Sequence, residues 1–156
     1  MKVATIFPMK YLIVLFISFN TNAFELKNFE TDGCTKFIDG TIEQPKKWYH
    51  CCLMHDMKYW YGGDQKAMDQ ADTDLYNCAY EAAGEFWANL LYVGVRTGHY
   101  SPIKLKYQWA WGWTHSRQKM QKLSPEEIVV AKDALKKINV EQIYIDRVLK
   151  ESLELN

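Results

Sequence analysis

His55, Asp56, Tyr59 and Asp72 are the residues of this chain whose types and spacing could do chemistry. An imidazole paired with a carboxylate can take up and release a proton near neutral pH. A further carboxylate beside that imidazole can hold a hard cation. The apolar residues around them show which of these groups must face inward. Trp48, Cys51, Cys52, His55 and Tyr59 fall at i, i+3, i+4, i+7 and i+11, one continuous helical stripe. Met68, Asp72, Leu75, Ala79, Ala82 and Phe86 make a second stripe, on a helix expected to run from about Gln65 to the vicinity of Thr97. Each helix therefore carries one titratable group on its inward face. Asp69 and Asp74 lie off the second stripe and read as solvated. Only Asp72 needs a buried partner, because a lone buried carboxylate is strongly penalised.

The elements that must position these groups can be bounded. Gln44-Pro45 is expected to open the first helix, proline suiting its first turn. Gly62-Gly63 ends that helix and Asp64 caps the next. So short a connection implies antiparallel packing, in which facing residues keep a nearly constant sum of residue numbers. His55 with Asp72 and Cys51 with Cys78 both satisfy one register. A Cys51–Cys78 disulfide would lock the helices about one turn from the His–Asp contact, leaving Cys52 for Cys34. Residues 24–44 read as loop and turn, and that second bridge would hold them over His55 and Asp56. Asp56 lies four residues after Cys52, on the side where the loop is fastened, among Gly, Thr and Asp residues. Such oxygen-rich surroundings suit calcium. A zinc site from His50, Cys51, Cys52 and His55 is disfavoured, since adjacent helical cysteines diverge by about 100°.

The 156 residues imply one domain preceded by a leader. Lys2 and Lys10, the apolar run Tyr11–Phe19, and small residues at Thr21 and Ala23 form a signal-peptide pattern. The run is too short to cross a bilayer core, which takes about 20 residues. The expectation is cleavage near Ala23, secreted or periplasmic location, and two disulfides from the four cysteines. Residues 24–156 then divide into a core over 32–97, an aromatic segment over 98–123 and a C-terminal helical extension over 124–156. In that extension Ser124-Pro125-Glu126-Glu127 is a capping box with proline in the first turn, and a break is expected near Asn139. Basic and acidic residues number 19 each, which gives no basic footprint for nucleic acid. Trp109, Trp111 and Trp113 would share a side if extended. They could face lipid or close the core, and core closure is the favoured reading. The fold class expected is mostly α.

Cys51-Cys52-Leu53-Met54-His55-Asp56-Met57-Lys58-Tyr59 resembles the Cys-Cys-x-x-His-Asp-x-Cys-Tyr helix of secreted phospholipases A2. Asp72, followed six residues later by Cys78, resembles that family's second helix, and Asp32-Gly33-Cys34 the start of its calcium loop. The resemblance covers residues 32–82 or so. It implies a phospholipase A2-like fold, with two long antiparallel disulfide-linked helices, an N-terminal calcium loop and extra C-terminal helices. The activity implied is calcium-dependent hydrolysis of the sn-2 ester at a phospholipid membrane surface. In it His55 is the general base, Asp72 accepts a hydrogen bond from the other ring nitrogen, and Tyr59 hydrogen-bonds Asp72. Asp56 and the carbonyls of Gly33, Thr35 and Phe37 would hold Ca2+, with the Asp39-Gly40 turn as an alternative source of one carbonyl. The family's cysteines pair as above. Two features depart from the pattern. Gly33-Cys34-Thr35-Lys36-Phe37 replaces the glycine-rich Tyr-Cys-Gly-x-Gly loop, which is closer to the atypical secreted types than to the venom and pancreatic ones. Lys58 stands where a cysteine is usual, and Ala71 where its partner would be. The competing expectation is a non-catalytic lipid- or protein-binding module on the same scaffold.

Overall fold

The computed structural model describes residues 24–99, 106–118 and 120–153. The expected signal peptide, like residues 100–105 of the aromatic segment, lies outside them. The described chain is mostly helical: α1 (Tyr49–Tyr61), α2 (Gln65–Ala83), α3 (Glu85–His99), α4 (Pro125–Leu135) and α5 (Gln142–Val148), the last continued by a π-helical turn over Leu149–Leu153. Among the described residues there is no strand, only an isolated bridge between Leu26 and Trp113. None of these helices is long and apolar enough to cross a membrane.

α1 is the centre of the molecule. Cys51, Leu53, Met54, Met57, Tyr59, Trp60 and Tyr61 are all buried, so it meets protein on nearly every side. It begins at Tyr49 rather than at Pro45. The preceding residues form turns, in which Lys47 donates to the Gln44 carbonyl and Tyr49 to that of Lys46. Trp48 is pinned twice, by its backbone N–H to Asp39 O (3.0 Å) and its indole to Ile38 O (2.7 Å). These bonds hold the incoming loop and leave the helix to start one residue later.

The Asp64 side chain accepts from Ala67 N at 2.9 Å and starts α2, whose buried stripe is Met68, Ala71, Asp72, Leu75, Cys78 and Ala79. The expected long second helix is two helices. Gly84 adopts φ +85°, a left-handed conformation that L side chains rarely take, and its N–H closes α2 on Tyr80 O at 2.9 Å. α3 then folds back along α2. Tyr92 meets Tyr76 at 5.9 Å between ring centroids, and Arg96 reaches Asp72. Phe86, expected inward, is consequently 67% exposed.

Two disulfides, Cys34–Cys52 and Cys51–Cys78, join the N-terminal loop to α1 and α1 to α2. α4 opens on the capping box, with Ser124 and Glu127 bonding each other's backbone N–H groups. The break near Asn139 separates α4 from α5, and Leu135, Ile145 and Val148 pack into the main core. Trp109 and Trp113 do not form an outward platform. Their indoles donate to Gly63 O (2.8 Å) and Tyr61 O (2.7 Å) and close the end of α1, as favoured above.

Lys58, where the resemblance leads one to expect a cysteine, is buried, and its ammonium bonds Asp74 (2.6 Å) on α2 and Glu151 (2.9 Å) in the π-helical turn. Asp74 is therefore not a solvated acid. An ion triad joins three elements at the place where the pattern has a covalent link. Removing both carboxylates (Asp74→Ala with Glu151→Ala) strands a buried ammonium and should cost about 3–5 kcal/mol. Each single change leaves one partner and should cost under about half of that. Urea unfolding of the three variants checks this ordering.

Candidate active site

The middle turns of α1 and α2 leave His55 and Asp72 facing each other across the helix pair. His55 Nε2 lies 3.0 Å from Asp72 Oδ1, and Tyr59, one turn further along α1, donates its hydroxyl to the same oxygen at 2.8 Å. Asp72 Oδ2 accepts from Arg96 Nη1 of α3 at 3.0 Å. The Asp72 side chain is wholly buried and His55 nearly so. Burial alone would raise the Asp72 carboxyl. The hydrogen bond and charge of His55 and the bonds from Tyr59 and Arg96 outweigh it and hold the group below the usual carboxylate range. Burial, then the Asp72 charge, raises the Tyr59 phenol, so Tyr59 stays a neutral donor. Its ring lies 4.2 Å from the imidazole and is met edge-on by Trp109.

With Nε2 bound to a carboxylate, Nδ1 is the nitrogen available for chemistry. It makes no hydrogen bond among the described residues and lies 4.0 Å from Asp56 Oδ1. Asp56 Oδ2 accepts from Thr31 Oγ1 at 2.6 Å, and Gly33 N donates to the same hydroxyl. The loop meets Asp56 through Thr31. It is organised around a carboxylate of its own, because Asp39 Oδ1 accepts from Cys34 N at 2.8 Å and fills the space a Gly33 side chain would need. Gly33 also sits at φ +76°, so glycine is required there twice over. Thr35 turns its hydroxyl to Asp32, and Phe37, closing a turn onto Cys34 O, lays its ring against Trp87.

Burial pushes Asp56 up to about 7, against the Thr31 hydrogen bond, and the nearby Asp32 and Asp39 charges add to the rise. Asp32 and Asp39 are the acids that act on Asp56, but among the described residues the three carboxylates do not draw their oxygens into one tight donor group. The zinc alternative fails: among the described residues the tight donor grouping is His50, Cys51 and Cys78, whose sulfurs are bonded to each other. The raised value has a consequence in metal-free solution. Asp56 folded lies above its unfolded value of about 3.9, so its stabilising contribution is full below that pH and is lost as pH rises through about 7. Asp56→Asn should therefore stabilise the protein at pH 8 without divalent cations, by on the order of 2–4 kcal/mol, and the gap should close toward pH 4. Thermal melts in chelator across this range check it.

The structure thus brings His55, Asp72, Tyr59 and Asp56 together and places Gly33, Thr35 and Phe37 in the loop tied down by Cys34–Cys52. Thr31 and Arg96 were not among the residues the sequence singled out, and Asp39 figured there only as a turn that could offer a carbonyl, not through its side chain. Thr31 had only its place in a polar loop, and Arg96 lies beyond a break that hid its direction. Family models, curated proteins and solved structures give no match to this chain.

Proposed function

We propose that the protein is an exported, calcium-dependent ester hydrolase on a phospholipase A2-like scaffold, acting on the sn-2 ester of phospholipids at a membrane surface. The observation that carries this reading is His55, bound through Nε2 to buried Asp72 and leaving Nδ1 beside Asp56. In it, Nδ1 accepts a proton from the water that attacks the ester carbonyl and later delivers it to the departing alcohol. Asp72 fixes the tautomer and steadies the imidazolium as it forms, with Tyr59 and Arg96 holding the carboxylate in place. Asp56 and the carbonyls of Gly33, Thr35 and Phe37 would hold calcium, which supplies positive charge against the developing oxyanion. The test is fatty-acid release from mixed phospholipid vesicles with calcium, comparing wild type with His55→Gln. Removal of the base should lower release on the order of 10²–10⁴-fold. Equal, background-level release by both folded proteins overturns the catalytic reading.

A second reading is favoured by the loop, which encloses Asp39 instead of the glycine-rich turn of the family pattern. On that reading the chain is a non-catalytic lipid- or protein-binding module. Calorimetry with calcium separates the two: a folded protein that binds none at millimolar metal supports the module.

A further inference from the structure

We propose that a cleft on the opposite side of α1 binds a phosphate-bearing anion, at a site separate from His55 and independent of the reading above. The cleft has a volume of about 870 Å³ and lies between the turn before α1, the last turns of α2, and α5. Its charged and titratable lining is Lys46, Lys47, His50, Glu81 and Arg147, three cations against one carboxylate. His50 is five residues from His55, which turns it by about 140° around the helix. An anion here would not meet the catalytic imidazole.

Of these three cations Arg147 is ion-paired with Glu151, whereas Lys46 and Lys47 have no carboxylate partner among the described residues. Arg147 is anchored through Nε to Glu151 Oε1 at 2.7 Å, and its two terminal nitrogens make no hydrogen bond among the described residues. That leaves a guanidinium fork of the kind that grips phosphate oxygens in pairs. Lys47 is half-buried and, like Lys46, has no carboxylate partner among the described residues. Lys46 rests its ammonium 5.5 Å from the Tyr49 ring. His50 stacks on Tyr144, with ring centroids 5.8 Å apart. Burial, then the Arg147 charge, keeps its imidazole below the ordinary histidine value, so it supplies a neutral polar wall. The cleft also takes in the start of α1, which has neither a side-chain cap nor an acid in its first turn. Its helix dipole adds to the positive potential. A phosphate offers more oxygens than a carboxylate to the guanidinium fork and the lysines, and a monoester also brings a second negative charge.

The experiment is an NMR titration of the protein with inorganic phosphate, glycerol 3-phosphate, and chloride at matched ionic strength. A parallel arm uses vesicles of phosphatidylcholine with and without phosphatidylglycerol. Saturable shifts at the Lys47 and His50 amides are expected with the phosphates and not with chloride. Lys47→Gln combined with Arg147→Gln should weaken them at least tenfold. Lys47→Gln alone, which disturbs no ion pair, should weaken them severalfold with an unchanged melting temperature. His55→Gln should leave the binding intact, so the fate of the esterase reading does not decide this one. Response to the phosphates in solution identifies a free ligand, and response to the anionic vesicles alone identifies a lipid headgroup. Shifts equalled by chloride, or none in either arm from the folded protein, overturn the proposal.

Discussion

Asp72→Asn should unfold about 2–4 kcal/mol more easily than wild type and, on the proposed function, lose on the order of 10²–10⁴ of its hydrolytic rate. The carboxylate has two oxygens and three donors. Oδ1 serves His55 and Tyr59, and Oδ2 serves Arg96. An asparagine amide has one acceptor, so in either orientation its NH2 group faces a donor. With the oxygen toward His55, a donor opposes the Arg96 guanidinium, which also bonds Asp69 and is partly open to water. With the oxygen toward Arg96, the imidazole and the phenol lose their acceptor in a fully buried place. The first arrangement costs less and sets the lower end of the range. It also leaves Nε2 with an acceptor but without a charge behind it, which removes the stabilisation of the imidazolium.

The pH dependence gives a second readout. The folded Asp72 carboxyl lies below its ordinary value, so its contribution to stability is present above about pH 3.9 and is lost as pH falls through the folded value. The asparagine variant should lack that part of the acid limb. Asp69→Asn is the control: its side chain is half-exposed and should change stability by under about 1 kcal/mol. Thermal melts and rates on the same preparations separate the roles, because a purely structural Asp72 would show the stability loss with no activity to lose.

The second large effect concerns the bridges. Replacing Cys51 and Cys78 together by alanine frees a sequence separation of 27 residues, which in the chain-entropy picture costs about 3.5 kcal/mol. Replacing Cys34 and Cys52 frees 18 residues and should cost slightly less, about 3 kcal/mol. Against a total stability of roughly 5–15 kcal/mol, either is a large share. On the proposed function, their consequences for activity should differ. Cys51–Cys78 sets the α1–α2 register that brings His55 to Asp72, so its loss should lower the rate at saturating calcium. Cys34–Cys52 ties down the loop beside Asp56, so its loss should chiefly raise the calcium needed. Guanidinium unfolding and calcium titrations of the two variants would show this division, and identical calcium dependence in both would count against the role given to the loop.

How far the residues alone reach is clear from particular cases. Helical phase was enough to pick His55 and Asp72 out of several acids and histidines, because α2 buries one stripe, α1 is buried almost all round, and a charge so placed needs a partner. The same phase, with a two-glycine connection, was enough for both disulfides. The capping box at Ser124 declared itself through purely local chemistry. Gly84 did not: apolar periodicity continues on both sides of it, and only its positive φ turns one helix into a hairpin. Arg96 was lost with it, since its contact with Asp72 exists only after the chain folds back. Lys58 could be seen as a departure from a pattern, but one of its partners, Glu151, is 93 residues away and no local signal links them. Thr31 and the inward side chain of Asp39 were hidden for a related reason, as irregular loops have no period to show which side chains face inward.

The central claim joins a base at His55 to a cation at Asp56, and one measurement addresses both halves. It is the rate of fatty-acid release from phospholipid labelled at the sn-2 ester, followed against free calcium, for wild type and Asp56→Asn. The expected result is sn-2 release by the wild type that is absent in chelator and saturates with calcium, and background release by Asp56→Asn at every calcium concentration. Hydrolysis indifferent to calcium, or none from a folded wild type at saturating metal, would contradict it.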